Sequence, residues 1–179
     1  MKCEPSELLS ATRQPNCVSM QYADVFEWLE YSYLAVYIRQ SPLLFPAIEI
    51  VHIVGFIFLV GSAFLFDLRL LGVARKISVK DVASYVLPWS RRSLLIVVPS
   101  GLLLFISQAK ALSTNGVFGL KLILILIAFS NAGIFHRFTF SSVSAWPASG
   151  TPAAAKAAAL ISLALWTSVI TCGRLIAYF

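Results

Sequence analysis

From Leu43 to Phe66 the chain runs for 24 residues with only two ionisable side chains, Glu49 and His52. A helix needs about 20 apolar residues to cross the hydrocarbon core of a bilayer, so this run is long enough to span one. Three further apolar runs follow, at about 93–108, 118–138 and 154–178. Inside hydrocarbon every backbone polar group must be satisfied within the protein, which makes such continuous runs helices. Composition agrees, with 59% hydrophobic and 12% charged residues, against about 45–50% and 25% in soluble domains. The chain therefore reads as an all-α, polytopic membrane four-helix bundle with spans at about 43–66, 93–108, 118–138 and 154–178.

The remaining segments fit around those spans. Residues 1–22 read as a flexible polar tail and 23–179 as a single membrane domain. Residues 1–22 hold no apolar core of signal-peptide length. Residues 23–40 mix charges with Phe26, Trp28, Tyr31, Tyr33 and Tyr37, rings that settle at the bilayer–water boundary. They read as one amphipathic helix lying in the interface or capping the bundle. Ser41-Pro42 and Thr151-Pro152 each offer a capping hydroxyl followed by a proline, the signature of a helix start. Asp81 is expected to cap a small turn before Pro88-Trp89, Pro99 to kink span two, Asn115-Gly116 to make a tight turn, and 139–152 to form a loop.

Charge sets the expected topology. Residues 1–40 carry a net −2, and residues 68–92, with Arg69, Arg75, Lys76, Lys80, Arg91 and Arg92 against Asp81, a net +5. Lys and Arg collect in cytoplasmic loops, so both termini are expected outside. The basic cluster is one short loop, suited to anionic lipid headgroups and not to nucleic acid. The expected partners are the lipid bilayer and a membrane protein or a second copy of the chain. Cys3, Cys17 and Cys172 form no C-x-x-C pair. Cys3 and Cys17 are either a disulfide in an oxidising compartment or two free thiols.

Ionisable side chains inside a span are costly and usually have a reason to be there. At 100° per residue Glu49 and His52 lie about 60° apart, and Asp67, five turns beyond Glu49, falls on the same stripe. On span four, Thr167, Thr171, Arg174 and Tyr178 share one face. The 98 residues after Asp81 contain no acid. Glu49 is then the one carboxylate at matching depth for Arg174, and an outer cluster of Glu49, His52, Thr171, Arg174 and Tyr178 is expected around a Glu49–Arg174 ion pair. Asp67, Arg91, His136 and Arg137 fall together near the inner boundary, as a second cluster or as ordinary interfacial charges. Ser130 and Asn131 are expected to bond between helices.

Two histidines in a helical bundle raise haem b. At 1.5 Å per residue, however, His52 and His136 differ by about 13 Å in depth, too far to ligate one iron. Copper favours Cys and Met, and both methionines, Met1 and Met20, lie in the tail. No cofactor is therefore expected, the metal question stays open, and no nucleophile–base pair or phosphate loop marks an enzyme.

The motifs Ser41-Pro-x-x-x-Pro46-x-x-Glu49-x-x-His52-x-x-Gly55, Leu59-Val-Gly61, Asp67-Leu-Arg69-Leu-Leu-Gly72, Phe135-His136-Arg137 and Gly173-Arg174-x-Ile-Ala-Tyr178 resemble a bacterial integral-membrane family of unknown function over residues 26–179. A fainter similarity links the chain to copper-resistance and cytochrome-b561-like bundles. The resemblance implies a four-span inner-membrane protein without an assigned activity. The expected function is a non-catalytic accessory or small-ligand-binding bundle; the alternative is an electron-transfer or cofactor-binding protein carrying haem, quinone or copper.

Overall fold

A computed structural model describes residues 17–140, 143 and 151–178, with side chains from Asp24 onward. Cys3, Met1 and the Cys3–Cys17 pairing lie outside the described residues. Every regular element among those described is helical: α1 (Cys17–Glu30), α2 (Tyr33–Gln40), α3 (Leu44–Leu71), α4 (Val79–Ser107), α5 (Ala109–Thr114), α6 (Gly116–Ile134), a π-helical turn (Phe135–Thr139) and α7 (Ala153–Leu175). Four of the helical stretches, Leu44–Leu71, Val79–Ser107, Gly116–Thr139 and Ala153–Leu175, are long and apolar enough to cross a membrane. Their side chains mostly face outward, and in the third only 6% of the apolar window is buried. Such outward apolar surface needs lipid or another helix against it. The chain is built as a multi-pass membrane helical bundle.

Several boundaries differ from the sequence-based expectation. The expected interfacial helix is two helices: the chain breaks at Tyr31-Ser32, where the Ser32 hydroxyl accepts from the Ala35 amide at 3.4 Å and starts α2. α1 begins at Cys17, inside the stretch expected as tail. α3 starts at Leu44 without a side-chain cap, so Ser41-Pro42 is not its cap. The largest correction is α4. Ser78 caps it, accepting from the Asp81 amide at 3.0 Å, and the helix then runs unbroken through Pro88 and Pro99. The basic loop shrinks to the residues after Gly72, whose φ of 105° closes α3 in the left-handed conformation that glycine adopts without strain. Arg69 ties this loop down through the carbonyls of Ile77 (2.6 Å) and Arg75 (3.5 Å). Asn115 is a cap and not merely a turn residue, its side chain accepting from the Val117 and Phe118 amides.

The spans line up in the order α4, α3, α7, α6, with α3 packed on α4 and on α7, and α6 on α7. Two apolar clusters hold them. Phe66, Leu70, Val79, Ala83, Phe135, Ala155 and Ala159 pack at the end nearest the basic loop. Leu59, Val60, Ala128, Trp166 and Val169 pack midway. The fully buried Ala155 and Ala159 let α7 approach its neighbours closely, as small residues do in membrane interfaces. At the opposite end Phe105 of α4 stacks on Phe118 of α6 at 5.5 Å and meets Phe26 of α1 edge-on. There Glu30 receives Arg39 (2.8 Å) and the Lys110 amide (2.7 Å), and Glu27 pairs with Lys110 Nζ at 3.3 Å. These contacts fasten the two N-terminal helices across the ends of α4 and α5.

Candidate functional site

The outer cluster does not assemble. Glu49 is exposed and forms no ion pair or hydrogen bond among the described residues. Arg174 is also exposed, and its guanidinium turns one helical turn onward, lying 5.5 Å from the Tyr178 ring and 3.3 Å from its hydroxyl. The expected Glu49–Arg174 pair is therefore absent, for a geometric reason. α7 faces the bundle with Ala155, Ala159, Trp166 and Val169, and at 100° per residue Thr167, Thr171, Arg174 and Tyr178 fall roughly opposite. The two threonines bond their own helix, to Leu163 and Thr167 carbonyls. His52 faces α4, not Thr171: Nδ1 lies 3.0 Å from Ser100 Oγ, and a Cβ built at Gly101 would stand 2.8 Å from His52 Cε1. Lys121 of α6 passes over Gly173, its Nζ 3.6 Å from where a Cβ would stand on that glycine. Sequence reading overlooked Lys121, although an ammonium within a span was the signal.

The polar site that forms lies near the basic-loop end, around Asp67. α3 turns this residue inward beside Phe66 and Leu70, leaving it 6% exposed. Arg69, two positions on, points about 200° away and holds the loop instead, so it cannot serve as counter-ion. One carboxylate oxygen, Oδ2, is buried with no hydrogen-bond partner. Ser162 of α7 is the side chain placed to interact with the carboxyl group.

A cavity of about 90 Å³ adjoins the carboxylate. Asp67, Phe66 and Leu59 line it from α3, Ser90 and Leu87 from α4, Asn131, Phe129 and His136 from α6 and the π-turn, and Ser162 and Trp166 from α7. Asn131 donates to the Ala158 carbonyl at 3.0 Å, an interhelical bond as expected, whereas Ser130 bonds its own helix at Leu126. His136 is half-buried within a ring of Phe66, Phe135 and Phe140, with centroids 5.4–6.2 Å away. Of the expected inner group, Asp67 and His136 come together. Arg91 and Arg137 are exposed and lie outside the cavity lining. Phe129 and Ala132 line the cavity while being exposed themselves, so it communicates with the outer surface of the spans.

His52 and His136 sit in separate surroundings, one on the α3–α4 seam and the other at the π-turn. Among the described residues no three His, Cys, Asp or Glu side chains gather as a metal-binding group. The chemistry on offer is one buried carboxylate, one imidazole, hydroxyl and amide groups and four aromatic rings around a small space. That suits binding of a small polar guest.

No curated protein and no solved structure matches the chain. The chain belongs to the DUF6644 family, a family of unknown function whose model matches residues 25–179.

Proposed function

We propose that this membrane protein is a non-catalytic small-ligand-binding bundle whose site is the Asp67 cavity. The observation that carries the reading is a carboxylate that is 94% buried, whose Oδ2 has no partner and whose residue lines a cavity. An unsatisfied buried polar group costs about 1–3 kcal/mol, and more when charged. A fold keeps such a cost where a guest repays it. Among the described lining residues neither serine hydroxyl is hydrogen-bonded to His136, and the reading rests on binding alone. The basic loop beside the cavity belongs on the cytoplasmic side of a bacterial inner membrane by the positive-inside rule, with both termini outside.

The test is a small-fragment screen by saturation-transfer NMR on the protein in nanodiscs. Ala132 is exposed at the cavity mouth, so Ala132→Phe covers the mouth without disturbing the core. Fragments that receive saturation from the wild type and lose it in both Ala132→Phe and Asp67→Asn support the reading. If no fragment depends on both positions, the cavity is not a ligand site.

A further inference from the structure

We propose that the guest of the Asp67 cavity is a small organic cation of the guanidinium or methylammonium type. The inference rests on the ligand-site reading above and adds the chemistry of the guest.

The cavity walls make the argument. Asp67 lines the cavity with a carboxylate that lacks a hydrogen-bond partner at Oδ2, an acceptor group short of donors. Asn131 gives one of its two amide N–H groups to the Ala158 carbonyl, and its oxygen has no donor among the described residues. No lysine or arginine lines the cavity, and no acid exists beyond Asp81 to shift the balance of charge from α6 or α7. The one other ionisable lining residue is His136, and it forms no hydrogen bond to Asp67; its ring is held among Phe66, Phe135 and Phe140. An anion would stand against the carboxylate. A neutral guest would leave the carboxylate either protonated or with its charge uncompensated in a low-dielectric interior. A cation satisfies both the hydrogen bond and the charge.

The rings favour the same class. Phe66, Phe129, Phe135 and Trp166 line the cavity, and a cation over an aromatic face gains further attraction once desolvated. Size then limits the guest. About 90 Å³ is smaller than the roughly 150 Å³ cavity that admits benzene. A planar guanidinium or a compact methylammonium fits, and a larger amine can enter only with its headgroup.

The test compares methylguanidinium with its neutral isostere methylurea, again by saturation-transfer NMR in nanodiscs of zwitterionic lipid, with empty nanodiscs subtracted. Methylguanidinium should receive saturation from the wild type and lose about tenfold or more in affinity in Asp67→Asn, while methylurea binds weakly to both. Ser162→Ala, which keeps the carboxylate, should retain the preference for the cation. If methylurea binds as well as methylguanidinium and both are lost in Ala132→Phe, the cation class is wrong and the cavity reading stands. Equal methylguanidinium binding in wild type, Asp67→Asn and Ala132→Phe overturns the cation site. Binding of neither probe overturns the proposal, and with a blank fragment screen it removes the ligand site as well. Ala132→Phe and Ser162→Ala keep the test decisive should Asp67→Asn fold poorly.

Discussion

Asp67→Asn should make the unliganded protein more stable. The residue is 6% exposed and one carboxylate oxygen has no partner. In the empty protein that group must carry either an uncompensated charge or a proton, and the unsatisfied atom costs about 1–3 kcal/mol. The amide has nearly the same shape, carries no charge, and adds donors to a cavity lined by Ser90, Asn131 and Ser162. Against this stands the weakened contact with Ser162, for which about 1 kcal/mol is a reasonable deduction. The net expectation is a gain of about 1–2 kcal/mol, or roughly 2–8 °C in Tm for a chain of this size. Thermal unfolding of both proteins in one detergent gives the sign, and equilibrium unfolding in mixed micelles gives the free energy. Asp81→Asn is the control: Asp81 is exposed in the first turn of α4, where losing its charge should cost about 0.3–1 kcal/mol at low salt. The same chemical change should thus act in opposite directions at the two positions. A loss of 1 kcal/mol or more in Asp67→Asn would show that the carboxylate is held by a stabilising partner, and the reasoning would fail.

Three further outcomes follow from particular contacts. Gly101→Ala places a methyl 2.8 Å from His52 Cε1, so the ring must leave Ser100. The expected loss is about 1–3 kcal/mol, and His52→Ala in the same chain should recover most of it, as read by unfolding of the double mutant. Gly72→Ala forces a side chain into φ 105° with Arg75 Nε 3.0 Å away; it should cost at least about 1 kcal/mol. Glu49→Gln and Arg174→Leu should each change stability by less than about 0.5 kcal/mol and add without coupling, since the two residues are exposed and apart. A coupling above 1 kcal/mol would restore the ion pair.

The spans were legible because lipid solvation writes itself as long apolar runs, and four helices follow from four runs. Their ends were harder to read. Charge counting stopped α4 at Ser93, but a helix can carry Arg91, Arg92 and Pro88 once it leaves hydrocarbon, and Ser78 rather than composition sets its start. The outer cluster failed on rotation. Helical spacing places Thr167, Thr171, Arg174 and Tyr178 on one face, but it cannot say which way that face turns; the small and aromatic residues Ala155, Ala159 and Trp166 decide it by packing inward. The stripe through Glu49, His52 and Asp67 was half right. Its deep end is the buried one, because α3 enters the Phe66–Phe135 cluster there, while Glu49 remains exposed at the other end. Asp67 could have been favoured from sequence on one ground: it follows the longest apolar run, and Arg69 stands on the opposite side of its helix.

The row of spans has a consequence for kinetics. α4 and α6 are the outer members of that row, joined by the Phe105–Phe118 stack at one end and parted by the Asp67 cavity nearer the other. Phe129 and Ala132, exposed on α6, belong to the cavity lining, so a bilayer around the spans would border the opening. A site that opens on lipid is filled from the membrane phase, so an amphiphilic amine arrives by lateral diffusion and at its membrane concentration. Its apparent affinity in water then rises with each methylene of its tail, by about 0.8 kcal/mol per group transferred, although the tail touches no more of the protein. Occupancy of the site would follow how well a molecule dissolves in lipid before it follows how well its headgroup fits.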